Sequence, residues 1–113
     1  MNRDRAVTSL AALAQASRLD AFRLLVQAGP DGLAAGELAE RLGISPPALS
    51  FHLRGLAQAG LVRSRQQGRF VYYSAAYDAM QSLVDFLTEN CCGGAACAPA
   101  RASARKSPTR RTA

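Results

Sequence analysis

The sequence predicts a mainly α domain with one small β-hairpin, arranged as a winged helix-turn-helix. Three observations carry that expectation. Two helical patterns are joined by the three-residue turn Gly43-Ile44-Ser45. The second of them opens on a capping serine and two prolines. Two stretches rich in β formers follow directly, separated by Gln67-Gly68-Arg69. A helix pair with a tight turn makes the first half, and a hairpin behind it makes the wing.

The elements follow in order. Val7, Leu10, Leu13 and Ala14 recur at helical spacing and predict a first helix over residues 4–15. Ser17 is read as the cap of the next, with Leu19, Phe22, Leu25 and Val26 on one face. Gly29-Pro30-Asp31-Gly32 is a run of turn formers and ends it. Leu38, Ala39 and Leu42 mark a third helix that stops at Gly43. Ser45 caps a fourth, whose first turn takes Pro46 and Pro47 because an N–H there has no helical partner to lose. That helix runs to Ala59, with Gly60 closing it. Leu61–Gln66 and Phe70–Ser74 form the hairpin. A last helix over 76–91 carries Met80, Leu83, Val84 and Leu87, and Gly93-Gly94 terminates it.

At 113 residues the chain holds one core and no second lobe. A hydrophobic fraction of 49% with 19% charged residues fits a folded domain. No apolar run approaches the roughly 18 residues of a membrane helix, and the start of the chain does not read as a secretory signal. A cytoplasmic protein with no membrane partner is expected. The formal charge is +6, of which residues 93–113 supply +5 and the rest +1. Those last residues are rich in Ala, Ser, Pro, Thr and Arg and read as a disordered basic tail. Residues 1–92 are expected to form the folded domain.

The fourth helix has two faces. At about 100° per residue, Leu49, Leu53 and Leu56 cluster toward the core. Pro47, Ser50, Phe51, Arg54 and Gln58 lie opposite. In a DNA major groove Phe51 can pack on a thymine methyl, Ser50 can bond a base or phosphate, and Arg54 can reach guanine or phosphate. Ser45 and His52 flank this surface, His52 at the edge of the core arc. The hairpin carries Arg63, Arg65 and Arg69, and no acid occurs between Arg41 and Asp78. Its charge gathers where a wing would meet the sugar-phosphate backbone. Double-stranded DNA is the expected partner.

Ser50-Phe51-His52-Leu53-Arg54-Gly55-Leu56, Ala59-Gly60-Leu61-Val62, Arg69 and Tyr72-Tyr73 together resemble the ArsR/SmtB family of metal- and metalloid-responsive repressors. The resemblance covers about residues 5–92. It implies a winged-helix homodimer, paired through its first and last helices, on an operator that is an imperfect inverted repeat. An inducer releases it. In the best-known arsenic sensors of the family the ligands lie in a C-V-C-D-L stretch. The matching residues here are Ala34-Ala35-Gly36-Glu37-Leu38, so that site is absent. The family's zinc sensors use histidines and carboxylates on the last helix, and this chain has His52 alone.

The cysteines are Cys91, Cys92 and Cys97, clustered within seven residues. An odd number in a cytoplasmic chain argues against a disulfide framework. Zinc normally takes four ligands. Three soft thiolates suit As(III) or Sb(III), which accept a pyramid of three sulfurs. Thr88-Glu89-Asn90-Cys91-Cys92-Gly93-Gly94 also resembles a branch of arsenic-responsive repressors with a C-terminal cysteine triad. That resemblance implies Cys91, Cys92 and Cys97 as inducer ligands in an arsenic-resistance repressor, with Cys97 folding back from the tail. Methylated trivalent arsenicals have two open positions, for which Cys91 and Cys92 would serve. The alternative is a repressor of the same fold that senses oxidants or sulfur species through these thiols. An enzyme is not expected, because the chain has no phosphate-cradling loop, no Cys followed by five residues and Arg, and no general base near its thiols.

Overall fold

The computed structural model describes residues 1–94. Five helices and three strands follow in the order α1 (Arg3–Leu13), α2 (Ala16–Ala28), β1 (Leu33–Ala34), α3 (Ala35–Leu42), α4 (Pro46–Gln58), β2 (Val62–Gln67), β3 (Phe70–Ala75) and α5 (Tyr77–Leu87). The strands form one antiparallel sheet in the order β1-β3-β2. The winged helix-turn-helix is as expected.

The core is built around leucine. Leu25, Leu38, Leu49, Leu53, Leu56 and Leu61 are its largest fully buried apolar side chains. Three of them form the inward stripe of α4, and Leu38 and Leu25 come from α3 and α2. Each such burial contributes roughly 1.5–3 kcal/mol. The turn between α3 and α4 depends on Gly43, which is left-handed with φ 67°. Its N–H reaches back to Glu40, and the Ile44 N–H to Ala39 at 3.2 Å. Ser45 then caps α4, accepting from the Ala48 N–H at 3.3 Å.

Four details differ from the sequence expectation. Gln15, not Ser17, caps α2, accepting from the Arg18 N–H at 2.9 Å. Helix α1 ends at Leu13, so Gln15 is the last extended residue before the chain coils again. The buried face of α1 is Ala6, Ser9 and Ala12, not the Val7–Leu10 stripe. Small residues let α1 lie close on its neighbours, and Val7 is left 59% exposed. The strand β1 was not expected, because two residues carry no periodicity. It pairs Leu33 with Tyr73 and Ala34 with Tyr72. Finally, α5 stops at Leu87, four residues short of the expected end.

The hairpin loop is Gly68-Arg69, since Gln67 already pairs with Phe70. Helix α5 is pinned to α2 by Tyr77, whose hydroxyl lies 3.0 Å from the Val26 carbonyl and 3.2 Å from that of Leu25.

Two glycines with positive φ separate backbone preference from packing. A Cβ on Gly43 would meet nothing within 4 Å, whereas one on Gly32 (φ 75°) would run into the Tyr73 carbonyl. Gly43→Ala is therefore expected to cost about 1–2 kcal/mol, the left-handed penalty alone. Gly32→Ala is expected to cost at least about twice that, because β1 must also separate from β3. Urea denaturation of the two variants checks the difference.

Candidate nucleic-acid interface and thiol site

The leucine stripe decides what α4 shows to solvent. With Leu49, Leu53 and Leu56 buried, Ser50, Phe51 and Arg54 are exposed on the outer face. Ser45 and Pro47 are exposed at its N-terminal end, so the start of the helix is open to a groove. The Ser45 oxygen is already used as the cap acceptor, which leaves its O–H as a donor. Phe51 is 58% exposed. His52 is half-buried behind it, its ring edge-on to Phe51 with centroids 5.6 Å apart. The Nδ1 of His52 is buried without a hydrogen-bond partner. His52 therefore supports Phe51 from the core side.

The three wing arginines have different surroundings. Arg63 and Arg65 share a face of β2, two residues apart. Arg65 stacks over the Tyr72 ring at 5.0 Å and keeps its charge outward. Arg69 sits in the tip loop. Arg63 instead binds both carboxylate oxygens of Asp78, at 2.9 and 2.8 Å. Asp78 lies in the first turn of α5, so this pair ties the base of the wing to the last helix. Arg54, Arg65 and Arg69 make no ion pair among the described residues. They are the uncompensated cations of the interface, with charge available to phosphates.

A fourth arginine belongs with them and was not expected. Arg18, in the first turn of α2, places its guanidinium 5.5 Å from the centre of the Phe51 ring. The signal in the sequence was Gly55. A glycine inside a helix costs about 1 kcal/mol relative to alanine and usually has a packing reason.

The thiols lie at the other end of the chain. Thr88 closes α5, its hydroxyl donating to the Val84 carbonyl at 2.8 Å. Asn90 and Cys92 are left-handed, with φ 56° and 59°. Asparagine tolerates that conformation better than most residues. Cys91 and Cys92 thus lie in a short 3-10 turn, Cys91–Gly94, rather than on the helix. Neighbouring helical residues would diverge by about 100°. In this turn the two exposed sulfurs are 3.7 Å apart. Cys97 lies outside the described residues, as does most of the basic tail. Among the described residues, no three His, Cys, Asp or Glu side chains converge. No helix among them is long and apolar enough to cross a membrane.

A buried stripe under an exposed reading face, backed by a basic hairpin, defines a winged helix-turn-helix DNA-binding protein. Residues 13–65 match the family model described as a helix-turn-helix domain. The transcriptional activator HlyU of Vibrio cholerae is 34% identical over 86 residues, 76% of this chain and 77% of HlyU. The transcriptional repressor SdpR of Bacillus subtilis is 34% identical over 55 residues, 49% of this chain and 61% of SdpR. An ArsR-like transcriptional regulator from Rhodococcus sp. RHA1 has a similar structure, with TM-score 0.70 and 26% identity over 80% of this chain and 83% of that one. The HlyU structure gives TM-score 0.64 at 32% identity, covering 81% of this chain and 99% of HlyU. A homodimeric winged helix-turn-helix domain from Mycobacterium bovis gives 0.63 at 27% identity, covering 81% and 85%. The chain belongs to the ArsR/SmtB family, and it is a transcriptional regulator rather than an enzyme.

The Arg63–Asp78 pair has a pH signature. The hydrogen bond from Arg63, then one from the Ala79 backbone, hold the Asp78 carboxyl below its ordinary value of 3.8. The sign follows from a depressed folded-state value. Any stability from the pair is present above the ordinary value and is lost as pH falls through the depressed one. Arg63→Gln is expected to move the Asp78 titration up toward 3.8. Carboxyl-carbon NMR over the acid range reads it directly; an unmoved midpoint would contradict the pairing.

Proposed function

We propose that the chain is a homodimeric repressor that leaves its operator when trivalent arsenic or antimony binds Cys91, Cys92 and Cys97. The observation that carries this reading is the 3.7 Å separation of the Cys91 and Cys92 sulfurs. Two thiolate bonds of about 2.3 Å span about 3.8 Å at a tetrahedral angle and about 3.4 Å at the tighter angle of a three-sulfur pyramid. One soft ion can therefore bridge the pair with little movement. Cys97 is five residues beyond Cys92 and supplies the third sulfur. A methylated trivalent arsenical needs only the first two.

The dimer rests on the apolar surface of α1 and α5. Val7 and Leu10 of α1 are exposed, and the exposed Val84 and Leu87 of α5, with Leu19 of α2, edge an apolar groove of about 320 Å³. Leu13, Phe22, Leu61, Met80 and Leu83 line that groove. The relative from Mycobacterium bovis is homodimeric, which supports a homodimer here. Two reading helices then reach half-sites about 34 Å apart on an imperfect inverted repeat. The thiols follow directly on α5, so a ligand drawing them together strains the end of the dimer seam. The coupling needed is about 1–3 kcal/mol. Repression follows if the dimer covers the promoter of an arsenic-resistance operon in a cytoplasmic setting.

A second reading uses the same sulfurs. Exposed thiols this close together oxidise readily, and an oxidant or persulfide could replace the metalloid. A vicinal disulfide ring is strained, so the stable product would join Cys97 to Cys91 or Cys92.

Val84→Glu with Leu87→Glu is expected to give a monomer that binds operator DNA at least about tenfold more weakly, as burying two charges in an apolar seam costs several kcal/mol. Sedimentation velocity and a binding titration check both parts. For the inducer, a mobility shift on the upstream region under reducing conditions is decisive. Arsenite is expected to release the wild type and to leave Cys91→Ser, Cys92→Ser and Cys97→Ser bound. Release by peroxide or persulfide but not by arsenite would establish the second reading in its place. An in vitro transcription assay on the same template sets the sign, because HlyU is an activator and SdpR a repressor.

A further inference from the structure

We propose that Arg18 is a DNA-phosphate contact, held in place by Phe51 and Gly55 of the reading helix. The inference rests on the DNA-binding reading of α4 and adds a residue from a different helix to it.

Four observations converge on this side chain. Its guanidinium lies over the Phe51 ring, 5.5 Å from the ring centre. It also lies against Gly55: a Cβ there would come within 2.7 Å of Cζ and 2.8 Å of Nη2. The slot exists because residue 55 has no side chain. The Nε of Arg18 is buried without a hydrogen-bond partner. Finally, Arg18 has no carboxylate partner among the described residues, and no acid occurs on α4 or on the wing.

This is a poor arrangement for stability alone. A guanidinium brings five N–H donors and no acceptor. Partly burying it beside an aromatic ring without a carboxylate leaves both charge and donors unsatisfied. Arg18 is also the third residue of α2, where the helix dipole disfavours a cation. An anion beside α4 neutralises the charge, pairs with the accessible Nη donors and offsets the unfavourable position in the helix dipole. On a duplex whose major groove holds Ser50, Phe51 and Arg54, the anion flanking the helix is a backbone phosphate. Cation–π contact with Phe51 and the close fit to Gly55 pre-set the fork, so little side-chain entropy remains to be lost on binding.

The assignment also changes the role of Phe51. Its ring carries the Arg18 guanidinium over one face and meets the His52 ring in a T-shaped contact, centroids 5.6 Å apart. Phe51 then serves as a platform that joins base reading to a phosphate clamp.

The test uses the full chain with two duplexes of equal length, its upstream region and an unrelated sequence. Affinity is measured over a range of salt. Arg18→Ala is expected to weaken both duplexes by a similar factor, about tenfold, as for a charged hydrogen bond. The slope of log affinity against log salt should become shallower by about 1.8 for the dimer, about 0.9 for the one phosphate lost per protomer. Gly55→Ala leaves Ser50, Phe51, Arg54 and the Arg18 residue itself unaltered and favours the helix, yet should evict the Arg18 guanidinium from its slot and reproduce both effects. The double variant should be no worse than either single one. Thermal melting of each variant confirms that it is folded. An unchanged salt slope in Arg18→Ala, or a loss confined to the upstream duplex, overturns the phosphate assignment. Unchanged binding by Gly55→Ala overturns the slot. If the wild type retains neither duplex, the DNA-binding reading itself fails.

Discussion

The surface this protein turns toward DNA depends on the burial of three leucines on one side of α4. Leu49, Leu53 and Leu56 pack into a core that also holds Leu25, Leu38 and Leu61. Their anchorage fixes the rotation of the helix about its own axis. Ser50, Phe51 and Arg54 are outward because the leucines are inward. A reading surface needs side chains held in one orientation, and rotation by a single residue would turn every contact through about 100°. The caps at Ser45 and Gly43 fix the entry of the helix, so its position along the groove is set as firmly as its rotation.

The wing and α5 are connected through a second constraint. Val62 pairs with Ala75, and the next residues lead directly into α5, whose Tyr77 hydroxyl is bound to the end of α2. Arg63 joins the same junction through Asp78. One consequence is that a wing arginine is not simply a cation for DNA. Arg63 is spent on holding the hairpin to α5, while Arg65 and Arg69 keep their charge outward. Another is that the wing is joined, by an exposed ion pair that contributes geometry more than stability, to the helix that leads to the thiols.

The thiol turn shows how local conformation makes chemistry. On a regular helix, Cys91 and Cys92 would point in different directions. Left-handed Asn90 and Cys92 end that regularity and bring the sulfurs to 3.7 Å. The glycines at 93 and 94 continue the turn with positive φ at no steric cost. The apolar residues just before it, Val84 and Leu87, belong to the exposed surface that a second copy would cover. The paired thiols and this exposed apolar surface are therefore neighbours in this fold.

Periodicity and punctuation alone specified most of the architecture. The leucine spacing of α4, the Gly43 and Ser45 boundaries, the hairpin and the basic wing were all legible, because each follows from interactions within a few residues. The outward set Ser50, Phe51 and Arg54 was legible for the same reason, and the cysteine cluster needed only inspection. What only the tertiary structure decided involves partners far apart in the chain. The two-residue strand β1 exists because β3 offers it hydrogen bonds. Arg18 meets Phe51 and Gly55 across thirty-odd residues, and Arg63 turns to Asp78 across fifteen. Helix α1 buries its small residues rather than its large ones, because close approach to neighbouring helices outweighs side-chain area. A sequence records which side chains are available to a surface. Which of them are already occupied depends on long-range contacts, and these carry no local signature.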